Sequence, residues 1–306
     1  MSDIERTGGD DVRRVREPAD ATGAPRRLHR RTVLAALAIG GIGCGSTSTP
    51  TRPTIEDAST FFPSGDVMLH YALDLPTGAG PFPAVVVGHG SGQTTKDEGA
   101  AHVPFLRDRG FAVLRYDKRG VGRSTGTYRG VSVANSETQV PELAGDMVAG
   151  VRFLQGRPEI DGRRVGLMGV SQAGWIMIEA ASRAPDIRFF VAVVGSVMAI
   201  GQNVFYENLP KTIALDAAYD ELRAFDGPRG WDPVPVLRAI RTPAIWLLGA
   251  EDRLVPTREC QRVLAELGTG APFRTIVYPS ADHSLSGQGT RYWPDVFGWM
   301  SSNGLP

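Results

Sequence analysis

The sequence predicts an α/β fold in which helices cover both faces of a mostly parallel central sheet. Two observations support this prediction. Apolar segments of strand length alternate with segments whose apolar residues recur every three or four positions, as in amphipathic helices. Most of the strand-like segments are continuous apolar runs, which indicates strands buried on both faces. Strands that alternate with helices form parallel sheets, and chemistry gathers at the carboxyl ends of their strands.

The first predicted strand, over residues 67–75, alternates apolar and polar residues as an edge strand does. Continuous apolar runs then predict buried strands over 82–90, 111–117, 164–170, 189–196, 244–250 and 274–279. Helices are predicted up to residue 109, over 141–155, from Ser171 onward and over 292–301. The interval from 197 to 240 is too long for a simple crossover between strands, so it predicts an inserted lid.

The composition argues against several classes of partner and site. Of the 306 residues, 42% are hydrophobic and 22% charged, which is typical of a soluble globular protein. The 33 Lys and Arg residues balance 33 Asp and Glu residues, so the net charge gives no indication of a nucleic-acid partner. The two cysteines, Cys44 and Cys260, have a spacing that matches no metal site. We therefore expect no nucleic acid, no metal and no disulfide, and we expect Cys260 to be half-buried on a helix.

The N-terminal segment, residues 1–44, predicts an export signal. A basic run at 26–31 precedes an uncharged apolar run at 32–43, which is shorter than the roughly 20 residues that span a bilayer. The paired arginines that end the basic run resemble a twin-arginine export signal. Small residues precede Cys44, which stands where a lipoprotein signal places its lipid-accepting cysteine.

These features predict a protein exported to the bacterial cell envelope. Lipidation of Cys44 would tether it to a membrane. The alternatives are cleaved export to the periplasm or medium, an uncleaved anchor, and an arm that is not an export signal at all. A tether rich in Ser, Thr and Pro is predicted over 45–62, and the folded domain over 63–306.

The segment "RVGLMGVSQAGWIM", residues 164–177, predicts a strand that turns sharply into a helix with Ser171 at the corner. A nucleophile at such a corner needs small residues two positions before and after it, and Gly169 and Ala173 stand there. The turn would also aim the backbone N–H of Gln172 at a developing oxyanion. The alternative interpretation is a serine that caps an ordinary helix.

Two further residues are candidates for activating this serine as a nucleophile. A serine hydroxyl needs an imidazole to take its proton, and the imidazole needs an acid to hold its tautomer. Asp252 and His283 each follow a predicted buried strand, so both are expected at the sheet edge where Ser171 lies. Glu251, which adjoins Asp252, is the alternative acid.

These motifs resemble those of the α/β-hydrolase fold superfamily over about residues 65–303. The segment "VVVGHGSG" is similar to the family's oxyanion loop after the third strand, and "YDKRGVGRSTG" to the turn after the fourth. Ala173 departs from the glycine that many members have. The resemblance implies the roles of the site residues. Ser171 would be the nucleophile, His283 the general base and then the general acid, and Asp252 the residue that orients His283. The oxyanion donors would be the N–H groups of Gln172 and Ser91, with Gly90 as the alternative donor on the loop.

Other residues have structural interpretations. His89 resembles the family's structural histidine, with a catalytic role as the alternative, and Asp117 is expected to tie its turn together. His70 and His102 are expected to be ordinary surface or strand residues. The lid residues Phe205, Tyr206, Leu209 and Trp231 would either line an acyl pocket or pack the lid onto the body.

The resemblance is to the serine esterase branch, among relatives of dienelactone hydrolases, acyl-thioester hydrolases and serine aminopeptidases. It implies a carboxylic ester hydrolase for small or medium acyl chains, with a small-molecule ester as partner and no cofactor; the oligomeric state is not indicated. Alternatives are thioester hydrolysis, peptide or amide hydrolysis, and a noncatalytic binding protein on the same fold. Amide hydrolysis would need acids that hold a substrate amine, and the lid offers Glu207, Asp216 and Asp220.

Overall fold

A computed structural model describes residues 60–267, 272–285 and 291–306. The predicted export signal, Cys44 and nearly all of the predicted tether lie outside the described residues. Within them, the strands are β1 (Phe61–Ser64), β2 (Val67–Asp74), β3 (Phe82–Gly88), β4 (Ala112–Tyr116), β5 (Ile160–Val170), β6 (Phe190–Val193), β7 (Ala244–Gly249) and β8 (Phe273–Tyr278). The helices are α1 (Val103–Asp108), α2 (Ser136–Gln155), α3 (Ala173–Arg183), α4 (Ile200–Asn208), α5 (Leu215–Arg223), α6 (Pro233–Ala239), α7 (Thr257–Glu266) and α8 (Tyr292–Ser302).

The strands form one sheet in the order β1-β2-β4-β3-β5-β6-β7-β8. β1 pairs with β2, and β2 with β4, in antiparallel register. All the other neighbouring pairs in this sheet are parallel. The predicted mostly parallel sheet with helices on both faces, the α/β-hydrolase fold, is therefore confirmed.

Side chains of the central strands are buried on both faces, as their continuous apolar sequences predict. On β7, Trp246 and Leu248 pack into a core that also contains side chains of α2, α3, α6 and α7. Ile245 and Leu247, which alternate with them, pack into a second core with α1 and α8. All four of these β7 side chains are fully buried. None of the helices among the described residues is both long enough and apolar enough to cross a lipid bilayer.

Several boundaries differ from the sequence prediction, and three of them lie at the start of an element. β1 begins inside the segment predicted as tether, because Phe62 is fully buried against the core. α2 begins at Ser136, upstream of the predicted start at Pro141, so this proline lies inside the helix. β5 begins at Ile160 rather than 164, because Phe82 N–H bonds to the carbonyl of Glu159 and draws this end of the strand beside β3.

The prediction for Cys260 is corrected by the structure. The residue is on a helix, α7, as expected, but its side chain is fully buried rather than half-buried. It packs in the same core as Trp246, and burial raises the pKa of its thiol to about 12. Helices α4, α5 and α6 occupy the interval between β6 and β7 in which the lid is predicted.

Candidate active site

Ser171 lies at the corner between β5 and α3, with a backbone φ of 54°. This left-handed conformation is unusual for a residue with a side chain and costs about 1–3 kcal/mol. Two hydrogen bonds hold the corner: Ser171 N–H donates to the carbonyl of Val193, and Gly174 N–H donates to the carbonyl of Ser171, both at 2.9 Å. The sharp turn predicted from the sequence is present at this serine.

The small residues around Ser171 are required by close packing. A Cβ placed on Gly169 would lie 2.4 Å from the Cβ of Ala173. A Cβ placed on Gly174 would lie 2.8 Å from the Cα of Gly195. Ala173 is tolerated because its methyl group occupies the space that Gly169 leaves empty.

The structure brings together Ser171, His283 and Asp252. His283 Nε2 lies 3.0 Å from Ser171 Oγ, and His283 Nδ1 lies 2.8 Å from Asp252 Oδ2. When Nδ1–H donates to Asp252, Nε2 is free to accept the serine proton. Glu251, the alternative acid, is exposed to solvent. The geometry therefore favours Asp252 as the partner of His283.

Asp252 is fully buried, yet each of its carboxylate oxygens has a partner. Oδ1 accepts hydrogen bonds from the N–H groups of Leu254 at 2.7 Å and Val255 at 2.9 Å, while Oδ2 faces His283. Its backbone carbonyl accepts a hydrogen bond of 2.9 Å from the hydroxyl of Tyr206 on α4. Burial raises the pKa of Tyr206, which keeps its hydroxyl protonated as a donor. Hydrogen bonds to the carboxylate and to the backbone carbonyl of Asp252 thus hold the loop that carries it.

A cavity of about 300 Å³ opens beside Ser171. It is lined by Gly90, Ser91, Glu98, Val170, Ser171, Gln172, Trp175, Ser196, Asn203, Glu207, Leu254, Val255 and His283. Gln172, Ser91 and Gly90, the residues predicted to carry the oxyanion donors, therefore line the same cavity as the predicted nucleophile. Two carboxylates, of Glu98 and Glu207, also border this space.

The four lid side chains proposed for an acyl pocket do not line this cavity. Tyr206 packs against Tyr219, and Phe205 against Phe225, as tilted ring pairs inside the lid. Leu209 packs against the same lid cluster, and Trp231 is buried in the main core. Trp231 packs the lid onto the body, as in the second interpretation, and Tyr206 bonds to the loop of Asp252, whereas Phe205 and Leu209 pack inside the lid.

His89 and Asp117 have structural contacts, as predicted. His89 Nε2 lies 2.5 Å from the carbonyl oxygen of Tyr116, and burial together with the charge of Lys118 lowers the pKa of His89 to about 4. Burial opposes ionisation of Asp117, but hydrogen bonds from the backbone of Arg123 and Lys96 and from His70 lower its pKa overall. His70 is a buried strand residue.

The sequence interpretation did not single out Lys118. The residue is only 3% exposed, and its ammonium group lies between the loop after β3 and the side chain of Gln172. Nothing in "YDKRGVG" distinguishes a lysine that points inward from one that points to solvent. Among the described residues, no group of three or more histidine, cysteine and acidic side chains could hold a metal ion.

Known proteins resemble this chain over most of the described fold. The model of the prolyl oligopeptidase family matches residues 99–301, more than half of the chain. The chain is 27% identical over 239 residues to the mitochondrial acyl-coenzyme A thioesterase 2 of Rattus norvegicus, covering 73% of this chain and 49% of the relative. It is 25% identical over 248 residues to the esterase EstD of Thermotoga maritima, covering 71% and 58%.

A solved esterase of Pyrococcus furiosus superposes with a TM-score of 0.59 at 22% identity, covering 82% of this chain and 96% of that structure. At this identity the superposition concerns the fold alone. The chain spans about half the length of the two curated relatives described above.

Proposed function

The chain belongs to the prolyl oligopeptidase family of α/β-fold serine hydrolases, and from that premise we propose that it hydrolyses carboxylic esters of small or medium acyl chains. The observation that carries the proposal is the continuous hydrogen-bonded chain from Ser171 through His283 to the buried carboxylate of Asp252. A serine that merely caps a helix needs neither partner.

The reaction proceeds through an acyl-enzyme. Ser171 Oγ attacks the ester carbonyl while its proton passes to His283 Nε2, and Asp252 stabilises the imidazolium that forms. The tetrahedral oxyanion accepts hydrogen bonds from the N–H groups of Gln172 and Ser91, each worth about 3 kcal/mol in the transition state. His283 then protonates the departing alkoxide oxygen, and the alcohol leaves. Water gives a proton to His283 and attacks the acyl-enzyme, and the carboxylic acid leaves as His283 returns that proton to Ser171 Oγ.

The cavity supports a small or medium acyl chain. Its volume of about 300 Å³ lies at the lower end of the range of ligand pockets, roughly 300–1,000 Å³. Trp175, Leu254 and Val255 give it an apolar portion, whereas the two carboxylates and Asn203 make the rest polar. A long acyl chain would find too little apolar surface here.

Hydrolysis of nitrophenyl esters from acetyl to palmitoyl by the full chain tests this proposal. We expect turnover of the shorter esters, loss of turnover in Ser171→Ala, and normal turnover in Ser182→Ala, a matched control with an exposed serine on the same helix. Equal rates for Ser171→Ala and the unaltered protein would refute it. Acyl thioesters in the same panel would show whether the oxyester preference is correct.

A second candidate, hydrolysis of aminoacyl esters or amides, is favoured by one observation. Of the three lid acids considered for binding a substrate amine, Glu207 lines the cavity. Asp216 and Asp220 instead form ion pairs with Arg258 and Arg223 at the surface. A carboxylate near the scissile bond would attract a protonated amine, particularly at low salt.

Aminoacyl nitroanilides and their N-acetylated forms separate the two candidates. If the second candidate is correct, Glu207→Gln should raise KM for the free-amine substrate and leave the acetylated one unchanged. Asp216→Asn is the matched control and should change neither. A preference for simple esters with no effect of Glu207→Gln would leave ester hydrolysis as the function.

A further inference from the structure

The ammonium group of Lys118 has three acceptors, and all three belong to the two segments that carry the predicted oxyanion donors. Its Nζ lies 2.5 Å from the carbonyl oxygen of Gly90 and 2.9 Å from that of Gly92. It lies 3.3 Å from Oε1 of Gln172. A lysine ammonium has three N–H donors, so its hydrogen-bonding capacity is matched by these contacts.

The contact with Gly90 has a directional consequence for the next residue. The carbonyl of Gly90 and the N–H of Ser91 belong to one peptide unit, and in a planar trans peptide they point in opposite directions. When Lys118 holds the carbonyl on its own side, the Ser91 N–H points away from Lys118. Ser91 lines the cavity beside Ser171. A cation on the carbonyl also polarises the peptide and strengthens its N–H as a donor.

The third contact connects the loop to the nucleophile corner. Gln172 would supply the other predicted donor through its backbone N–H, and this residue is only 5% exposed. The ring of Tyr128 covers the ammonium at 4.6 Å, and the Tyr128 hydroxyl donates to the same Gln172 oxygen at 3.3 Å. Lys118 therefore joins the loop donor and the corner donor, which come from different parts of the chain.

Resting on the proposed function, we propose that Lys118 is the positioning residue of the oxyanion hole, fixing the Ser91 N–H and the Gln172 segment in the arrangement that stabilises the tetrahedral intermediate. It touches neither Ser171 nor His283 in the hydrogen-bond network of the described residues, so it acts through the donors. The same contacts favour Ser91 over Gly90 as the loop donor, because the orientation of the Ser91 peptide is the one that Lys118 fixes.

The geometry gives the hole a dependence on pH. Burial lowers the pKa of Lys118 to about 8, and the carboxylate of Glu98 partly opposes this. Above that pH the neutral amine loses a donor and its charge, so the loop is held less firmly. The titratable groups around the ammonium are Glu98 on the turn before α1, His89 after β3, Tyr116 and Asp117 around the end of β4, Tyr128, and Asp146 on α2.

The experiment measures kcat and KM for a short nitrophenyl ester, and the rate of labelling by a fluorophosphonate, from neutral to alkaline pH. We expect Lys118→Met to lower kcat about 10- to 100-fold and to change KM by less than about threefold, because the oxyanion exists only in the transition state. The labelling rate should fall in parallel, since the phosphoryl oxygen occupies the same hole. Arg129→Met removes an exposed cation next to Tyr128 and is the control; it should keep both rates.

The pH profile separates positioning from a merely structural role. The unaltered enzyme should lose kcat on an alkaline limb near pH 8, and this limb should be absent from Lys118→Met. Lys118→Arg should restore part of kcat and move the limb upward. Glu98→Gln should move the limb to lower pH because the carboxylate raises the pKa of Lys118, whereas Tyr128→Phe should leave it in place.

Two results would overturn the inference while leaving the proposed function intact: kcat of Lys118→Met within about twofold of the unaltered enzyme, or an alkaline limb that persists in that variant. If Lys118→Met does not fold, an unmoved limb in folded Glu98→Gln overturns it instead. An unaltered protein that neither turns over esters nor labels overturns the proposed function, and the inference with it.

Discussion

At the scale of single residues, the site depends on close contacts around the nucleophile corner and on buried polar groups with defined partners. Gly169 has no side chain, and the methyl group of Ala173 occupies the space where one would be. His89 is buried next to a buried cation, and both burial and this charge lower its pKa and favour the neutral imidazole. Each of these features leads to a measurable consequence.

Gly169→Ala should destabilise the fold by about 1–3 kcal/mol and lower kcat, because its new Cβ would lie 2.4 Å from that of Ala173. The double variant Gly169→Ala with Ala173→Gly should recover part of both losses, since it removes the clashing methyl group. Urea unfolding and ester hydrolysis of the two single variants and the double variant test this. Strictly additive losses would contradict the packing explanation.

Because of His89, the stability of the folded protein should decrease as the pH is lowered below 6.5. The pKa of His89 is lowered from an ordinary 6.5 to about 4 in the folded protein, so between these values the unfolded chain binds the proton and the folded chain does not. Stability is therefore full above pH 6.5 and declines as the pH falls toward 4, by about 3 kcal/mol from this group. Urea unfolding of the unaltered protein and His89→Asn across this range should show a shallower decline in the variant; equal slopes would exclude His89 as the cause.

At the scale of secondary-structure elements, the lid helix α4 contributes to the site in two ways. Asn203 and Glu207 border the cavity, while Tyr206, which lies between them in sequence, donates to the carbonyl of Asp252. The carboxylate loop and the lid are therefore coupled by a buried hydrogen bond.

Tyr206→Phe should destabilise the protein by about 1–3 kcal/mol, because the buried carbonyl of Asp252 loses its donor. It should also lower kcat more than it changes KM, since the freed loop presents Asp252 to His283 less accurately. Phe205→Leu is the control, as Phe205 packs within the lid and has no contact with Asp252 among the described hydrogen bonds. A Tyr206→Phe enzyme with unchanged kcat would show that the loop keeps its position without the lid.

The elements that could be predicted from the sequence are those marked by a pattern of neighbouring residues along the chain. Continuous apolar runs located β3 to β8 to within a few residues, and the order of Ser171, Asp252 and His283 after their strands predicted that they meet. The lid interior was not predictable in the same way. Whether Tyr206 faces a substrate or a neighbouring loop depends on how α4 packs, and the sequence holds no local signal for that. Lys118 was missed for the same reason, because its burial follows from the loop that folds over it.

At the scale of the whole molecule, the described residues contain the family's fold, whereas the predictions for the N-terminal segment concern residues outside those described. We propose that this segment exports the protein and that Cys44 carries a lipid. The proposal rests on the basic run, the apolar run and the small residues before Cys44.

Expression of the full chain in a bacterial host with a radiolabelled fatty acid tests the tether. We expect the protein to carry the label and to be recovered in the membrane fraction. The Cys44→Ala variant should carry no label and should not be recovered with membranes. Cys260→Ala is the matched control and should keep the label, because Cys260 is buried in the core. Label that persists in Cys44→Ala would end the lipoprotein proposal, and recovery of an unlabelled, shortened protein in the medium would indicate cleaved export.

The central claim is that Ser171 is a nucleophile activated by His283, and covalent labelling tests it most directly. The full chain would be treated with a fluorophosphonate, the intact mass measured, and the modified peptide mapped. The account predicts one adduct on Ser171, absent from Ser171→Ala and formed far more slowly in His283→Ala. A folded protein that gains no adduct, or gains it at another serine, would contradict the account.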